Sequence, residues 1–276
     1  MPDPDWRTLD RAALSAAYDN SGAVPGSAET MAALRARSAA FRAGHPDCRE
    51  LRYGERERER IDLFGCGLSD APLLVFIHGG YWQRNAKEGF SILAEGPLAR
   101  GLDVALVGYT LCPEVALTGI AAEVKAALAR LRAHDAEAGR SRRLVVSGWS
   151  AGGHLAALAM AWPEVDAGLA VSGIFDLEPI RGTALDDALR LTGPEIDALS
   201  PIRRLPAAAG PLTVAFGTRE LPELRRQSAE YHAAWTGAGL PGDLLPLDGD
   251  EHFSILDGMI RPDGALTEAA VRLARE

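Results

Sequence analysis

Gly148-Trp149-Ser150-Ala151-Gly152 puts a serine between two glycines at a spacing suited to nucleophilic catalysis. An apolar strand, Leu144–Ser147, precedes it, and a helical stretch, Ala151–Trp162, follows. A strand-to-helix turn that tight lifts the serine hydroxyl clear of the sheet, and a Cβ at either glycine would clash as the helix packs on the strand. The helix N-terminus behind Ser150 favours negative charge developing there. A second glycine pair, in His78-Gly79-Gly80-Tyr81-Trp82, closes the apolar run Leu73–Ile77. A backbone turning there can aim N–H groups at an oxyanion, so the amides of Gly80, Tyr81 and Ala151 form the candidate oxyanion hole; one such donor contributes roughly 3 kcal/mol to the transition state. His78 itself is expected to brace this loop.

A serine nucleophile needs a base and an acid, and on a strand-to-helix elbow these follow it in the chain as acid, then histidine. Of the six histidines, His232 and His252 come long after Ser150, and His232 falls inside a helical stretch. His252 lies in a loop, Asp248–Phe253, beyond the strand Asp243–Leu247, and is the candidate base; His154, one helical turn past Ser150, is expected to be a buried packing residue. The acid is expected after the strand Leu212–Phe216, where Glu220 would orient the imidazole through Nδ1–H. Glu223 reads as a first-turn helix charge, and Asp248 and Asp250 as loop-shaping competitors too near His252 in sequence. Tyr81, Trp82 and Trp149 are candidates for binding an aromatic group; Phe175 is a further one, and Trp149 equally suits a core.

These residues need a scaffold. From residue 71, short apolar runs alternate with helical stretches: strands at Leu73–Ile77, Val104–Gly108, Leu144–Ser147, Ala167–Ser172, Leu212–Phe216 and Asp243–Leu247, and helices at Val115–His134, Ala151–Trp162 and Pro222–Gly237. That alternation predicts an α/β fold, a mainly parallel sheet with helices on both faces and the site at the carboxyl ends of the strands. Every motif above falls at such an end. Upstream, Arg7–Tyr18 and Ala28–Ala43 read as helices around the turn-rich 20–26, and Glu55–Phe64 reads as an exposed first strand with Arg56 and Arg58 on its solvated face. Residues 1–50 thus form a helical segment of a single domain spanning 1–276. Residues 174–205, rich in Pro, Gly and acidic residues, read as a small lid insertion, and no large cap fits.

The chain of 276 residues is 47% hydrophobic and 24% charged, ordinary for a globular protein that needs neither disulfide nor metal to hold a core. Lys and Arg number 29 against 38 Asp and Glu, a net charge of -9, which argues against a nucleic-acid partner. Three cysteines without paired spacing, and an N-terminus without a signal-like apolar run, point to a reducing, cytoplasmic setting. No apolar stretch is long enough to span a membrane. No phosphate-binding loop, zinc-binding spacing or S-x-x-K pair occurs, and Gly237–Gly242, a formal G-x-G-x-x-G, follows a helix instead of a strand, so no cofactor or metal is implied. The sequence does not fix the oligomeric state, a dimer included.

Taken together, HGGYWQ at 78–83, YTLCP at 109–113, SAGGHLA at 150–156, ELPELRRQS at 220–228 and EHFSIL at 251–256 resemble the kynurenine formamidase (arylformamidase) group of the α/β-hydrolase superfamily and its bacterial esterase relatives. The likeness runs in order from about residue 60 to the C-terminus. It implies a serine hydrolase with Ser150, Glu220 and His252 as triad, cleaving a small acyl group from an aryl formamide or ester. The chain departs from the group's usual pattern at Glu220, where the group has Asp, and at Trp149, where it often has His. A general carboxylesterase is the nearer rival, and a non-catalytic binding protein on the same scaffold the more distant one.

Overall fold

The computed structural model describes residues 5–276. Its centre is an eight-stranded sheet of β1 (Arg49–Arg52), β2 (Arg60–Phe64), β3 (Leu73–Ile77), β4 (Asp103–Val107), β5 (Leu144–Trp149), β6 (Ala167–Val171), β7 (Leu212–Gly217) and β8 (Gly242–Leu247). The spatial order is β1-β2-β4-β3-β5-β6-β7-β8. β1 pairs β2, and β2 pairs β4, antiparallel; all other pairings are parallel.

The helices are α1 (Arg11–Ala17), α2 (Asn20–Ala23), α3 (Ser27–Ala43), α4 (Glu95–Ala99), α5 (Leu117–Glu137), α6 (Ala151–Ala159), α7 (Glu178–Arg181), α8 (Asp186–Leu189), α9 (Gly193–Leu199), α10 (Pro222–Gly237), α11 (Asp257–Ile260) and α12 (Ala265–Arg275). The alternation of side chains along each strand sorts the core into two layers. Leu73, Val75 and Ile77 of β3, with Ala105 and Val107 of β4, pack under α5, α6 and α10. Leu74 and Phe76, with Val104 and Leu106, pack under α3 and α12. Burial on both faces is why β3 reads as an unbroken apolar run, Leu-Leu-Val-Phe-Ile. α5 turns Leu117, Ile120, Val124, Leu128 and Leu131 inward at helical spacing.

The strands after residue 71 lie where expected, within a residue or two. Three readings of the sequence need correction. Glu55–Phe64 is not an exposed first strand: only Arg60–Phe64 is extended, it is buried, and β1 covers its outer edge. Its charge pattern misleads because Asp62 is 1% exposed and paired by Arg42 at 2.5 Å and Lys87 at 2.9 Å. The Asn20–Gly26 stretch is not simply a turn, for Asp19 caps a short helix there by accepting from Gly22 N. Arg7–Tyr18 is broken by Asp10, which caps α1 through Ala13 N.

Residues 174–205 carry α7, α8 and α9 and pack on the α5, α6 and α10 side. Leu189, Leu191 and Ile196 join that core layer, Glu195 accepts from Thr118 Oγ1 at the start of α5, and Gln227 of α10 accepts from Phe175 N.

Candidate active site

The loops at the carboxyl ends of β3, β5, β7 and β8 converge on Ser150. Ser150 has φ 58° and ψ −120°, a conformation that side chains rarely adopt. Its N–H donates to Val171 O of the neighbouring strand, which holds the turn in place. The two elbow glycines are obligatory: a Cβ on Gly148 would lie 2.1 Å from Gly152 O, and one on Gly152 would lie 1.9 Å from Ile77 O.

His252 and Glu220 meet across two loops. His252 Nδ1 lies 3.2 Å from Glu220 Oε2. The other carboxylate oxygen, Oε1, accepts from Gly217 N at 2.8 Å and from Ser172 Oγ at 2.5 Å. The carboxyl group is buried, and both of its oxygens have partners, as burial of a polar group requires. Ser172, at the end of β6 with φ 51°, is a contributor the sequence did not signal. Asp248 and Asp250 do not reach the imidazole: Asp248 accepts from Thr218 Oγ1, and Asp250 from Ser254 Oγ. Glu223 is not a simple helix-end charge; it is buried, accepting from Tyr18 OH at 2.8 Å and pairing with Arg226.

The glycine loop after β3 turns through Gly80 (φ 121°), Tyr81 (φ 50°) and Trp82 (φ 58°). A Cβ on Gly80 would meet Arg84 O at 2.4 Å. Among the described residues, the N–H groups of Gly80, Tyr81 and Ala151 donate to no protein acceptor. His78 is fully buried, its ring stacked on Tyr109 at 4.3 Å, while Tyr109 OH donates to His78 O. Burial pushes its pKa down to about 4, so it stands neutral beneath the loop. His154 is likewise buried, bonded to Leu199 O and lowered by burial to about 4.

A cavity of about 400 Å³ opens over Ser150, within the range of small-molecule sites. Tyr81, Trp149 and Phe253 give it aromatic walls, and Asn20, Met31 and Arg35 cover it from the N-terminal helices. Trp149 also braces the site, its Nε1–H donating to His252 O at 2.8 Å. The structure does not bring Trp82 to the cavity; that side chain is fully buried, its ring edge-on to His154 at 5.0 Å. Phe175 is also buried, stacked on Tyr231 at 4.4 Å. No residue of 174–205 lines this cavity, so its covering comes from residues 20–35. Nothing in the composition of α2 signalled that placement.

Residues 67–170 match the BD-FAE family model. Kynurenine formamidase of Danio rerio is 29% identical, the alignment covering 98% of this chain and 98% of that one. The solved structure of a candidate thioesterase from Silicibacter sp. TM1040 superposes with a TM-score of 0.85 at 28% identity, covering 95% of this chain and 99% of that one. The carboxylesterase EstE1, from a metagenomic library, superposes with a TM-score of 0.73 over 90% of this chain and 96% of its own at 17% identity, a likeness of fold. Sheet order, the strained elbow and these similarities together give the chain the α/β-hydrolase fold and make it a hydrolase similar to kynurenine formamidases and esterases.

Proposed function

We propose that the protein hydrolyses a small acyl group from an aryl formamide or aryl ester through an acyl-enzyme, with Ser150 as nucleophile, His252 as general base and Glu220 as the acid that orients it. The observation that carries this reading is the buried Glu220–His252 contact beside a serine held at φ 58°. Ser150 Oγ attacks the carbonyl carbon while His252 Nε2 takes its proton. The N–H groups of Gly80, Tyr81 and Ala151, free of protein acceptors, stabilise the oxyanion. The imidazolium then protonates the leaving nitrogen or oxygen, and water repeats the sequence on the acyl-enzyme.

Substrate size and type follow from the cavity. Its volume leaves little apolar wall for a long acyl chain. Tyr81, Trp149 and Phe253 offer flat surface to an aryl group, and aromatic pairs contribute roughly 0.5–1.5 kcal/mol beyond burial. The formamidase relatives favour a formamide of the N-formylkynurenine kind. The esterase relatives, Mycobacterium tuberculosis LipC among them, favour a short-chain carboxylesterase as the second reading. Three free cysteines and a net charge of -9 support a reducing, cytoplasmic setting with a small-molecule partner and no nucleic acid. No helix among the described residues is long and apolar enough to cross a membrane.

The deciding measurement is kcat/KM for N-formylkynurenine, p-nitrophenyl acetate and p-nitrophenyl octanoate under one condition, with fluorophosphonate labelling to locate the nucleophile. Turnover of the formamide and of acetate over octanoate, with label on Ser150, is expected. Good acetate turnover without formamide turnover assigns a carboxylesterase. A preference for octanoate defeats the small-acyl argument.

A further inference from the structure

His252 Nε2 lies against Asn20, and among the described residues no hydrogen bond joins it to Ser150. Asn20 Nδ2 lies 3.2 Å from Nε2 and 3.0 Å from Tyr81 OH. Tyr81 OH in turn donates to Tyr18 O at 2.5 Å. Asn20 is 4% exposed, it lines the cavity over Ser150, and its Oδ1 is buried without a hydrogen-bond partner.

The polarity of this chain of bonds is determined by its end. A backbone carbonyl only accepts, so the one proton of Tyr81 OH is committed to Tyr18 O. Tyr81 Oη can then only accept from Asn20, which must present its NH2 group there. The same NH2 group reaches His252, so Nε2 must offer its lone pair and the ring proton must sit on Nδ1, donated to Glu220. Rotating the carboxamide by half a turn would set Oδ1 against Tyr81 Oη, whose proton is already committed to Tyr18 O. The unpartnered Oδ1 is therefore the cost of the orientation and not a sign of the wrong one.

We propose, on the reading of Ser150 and His252 given above, that Asn20 is a positioning residue: its NH2 group holds His252 in the tautomer with the lone pair on Nε2 and makes the site favour amine over aryl-oxide leaving groups. The lone pair held by Asn20 is the one that accepts the Ser150 proton when substrate seats. Once Nε2 carries that proton, it faces a donor and not an acceptor, so the proton passes onward to the leaving group. An amine must be protonated to depart, whereas an aryl oxide leaves unaided, so the arrangement serves the amide more than the ester. Glu220, accepting from Nδ1–H, favours the same tautomer from the far side of the ring, but among the described residues no other side chain donates to Nε2. Glu220 holds Nδ1, the Trp149 and Phe253 rings sit at 4.9 Å and 5.4 Å, and Arg35 and Arg84, which line the cavity, have no ion-pair partner among the described residues.

The test uses the full chain with Asn20→Ala, Asn20→Asp and Tyr81→Phe, the last keeping its backbone N–H. Folding is checked by urea titration, and 15N NMR of the His252 ring reads the tautomer without relying on turnover. Wild type should hold the proton on Nδ1, and Asn20→Ala should mix the tautomers. Both kcat values should fall in Asn20→Ala, since both reactions need the Nε2 lone pair, with the loss on formanilide greater than that on p-nitrophenyl acetate by about threefold or more. Tyr81→Phe should show the same split more weakly. Asn20→Asp, nearly isosteric, sets an acceptor against Nε2 and should move the acid limb of kcat/KM upward by about one pH unit. Should Asn20→Ala not fold, Asn20→Asp and Tyr81→Phe decide. An unchanged tautomer, or equal losses on amide and ester, overturns the proposal. A wild type inert to every ester and formamide would refute the triad reading instead, and the NMR result would still decide the tautomer.

Discussion

The two ends of the sheet are built differently. At the carboxyl ends the backbone is strained: of six residues other than glycine with positive φ, Tyr81, Trp82 and Asn85 follow β3, Ser150 follows β5 and Ser172 follows β6. At the amino ends the backbone is relaxed and ion pairs do the holding. Arg142, just before β5, pairs with Asp103 at the start of β4 and with Asp135 of α5. Arg132 of α5 pairs with Asp166, just before β6, at 2.6 Å, and Asp166 also accepts from Leu144 N. The difference teaches where this fold stores strain and what keeps the strain in place. Each strained residue costs on the order of 1–3 kcal/mol and persists only because its surroundings over-determine it. Strands clamped at one end cannot slide to relax the turns at the other.

Substitutions at either end break the comparison if it is wrong. The largest effect belongs to Ser150→Ala, which should lower kcat by roughly four to six orders of magnitude and leave the urea midpoint unchanged or raised, since alanine removes the hydroxyl but not the turn. Near-wild-type turnover by the folded variant would end the assignment of Ser150. Next comes Glu220→Gln, which should cost on the order of 10²- to 10⁴-fold in kcat/KM, because the amide cannot take Nδ1–H with its former charge while also serving Ser172 and Gly217. Asp248→Asn and Asp250→Asn should cost far less, their bonds being confined to the loop. The ranking of the three kcat/KM values is decisive, and an Asp at the top would unseat Glu220.

At the amino end the sign reverses: stability goes and chemistry stays. Arg142→Ala leaves the buried Asp103 without its cation, while Asp135 keeps Arg140 at 3.2 Å, and should destabilise the protein by about 3–5 kcal/mol in urea titration. Its kcat per folded molecule should match wild type; a large drop in kcat would mean that the ends are not separable. The smallest effect is graded with pH. His78 and His154, at the site end, are held neutral with pKa values pushed from 6.5 down to about 4 by burial. Between those values the unfolded chain binds more protons than the folded one, so stability rises with pH and is lost as pH falls from about 6.5 towards 4. Each histidine should contribute on the order of 1 kcal/mol per pH unit across that window. Comparing urea midpoints at pH 7 and pH 5 for wild type and His154→Gln measures one share, and identical slopes would remove His154 from the account.

Local signals carried much of this protein. The run Leu73–Ile77 is apolar at every position because a parallel strand is covered on both faces, and Gly148 and Gly152 flank Ser150 because no Cβ fits there, so the alternation and the elbow can be read directly. Chain order and position after a strand singled out Glu220 and His252 as candidates, since a parallel sheet delivers successive strand ends to one edge. What escaped the sequence depends on contacts between distant segments. Asp62 looks like a surface charge until Arg42 and Lys87 are seen against it. Trp82 looks like a binding surface beside Tyr81, but the positive φ of both residues turns one ring to the cavity and the other into the core. Asn20 looks like one more polar residue in a turn; only the packing of α2 over the strand ends brings it to a histidine 232 residues away. Periodicity and spacing record how each segment meets its own layer, whereas the partner of a buried polar group is chosen by the whole fold, and no local pattern encodes it.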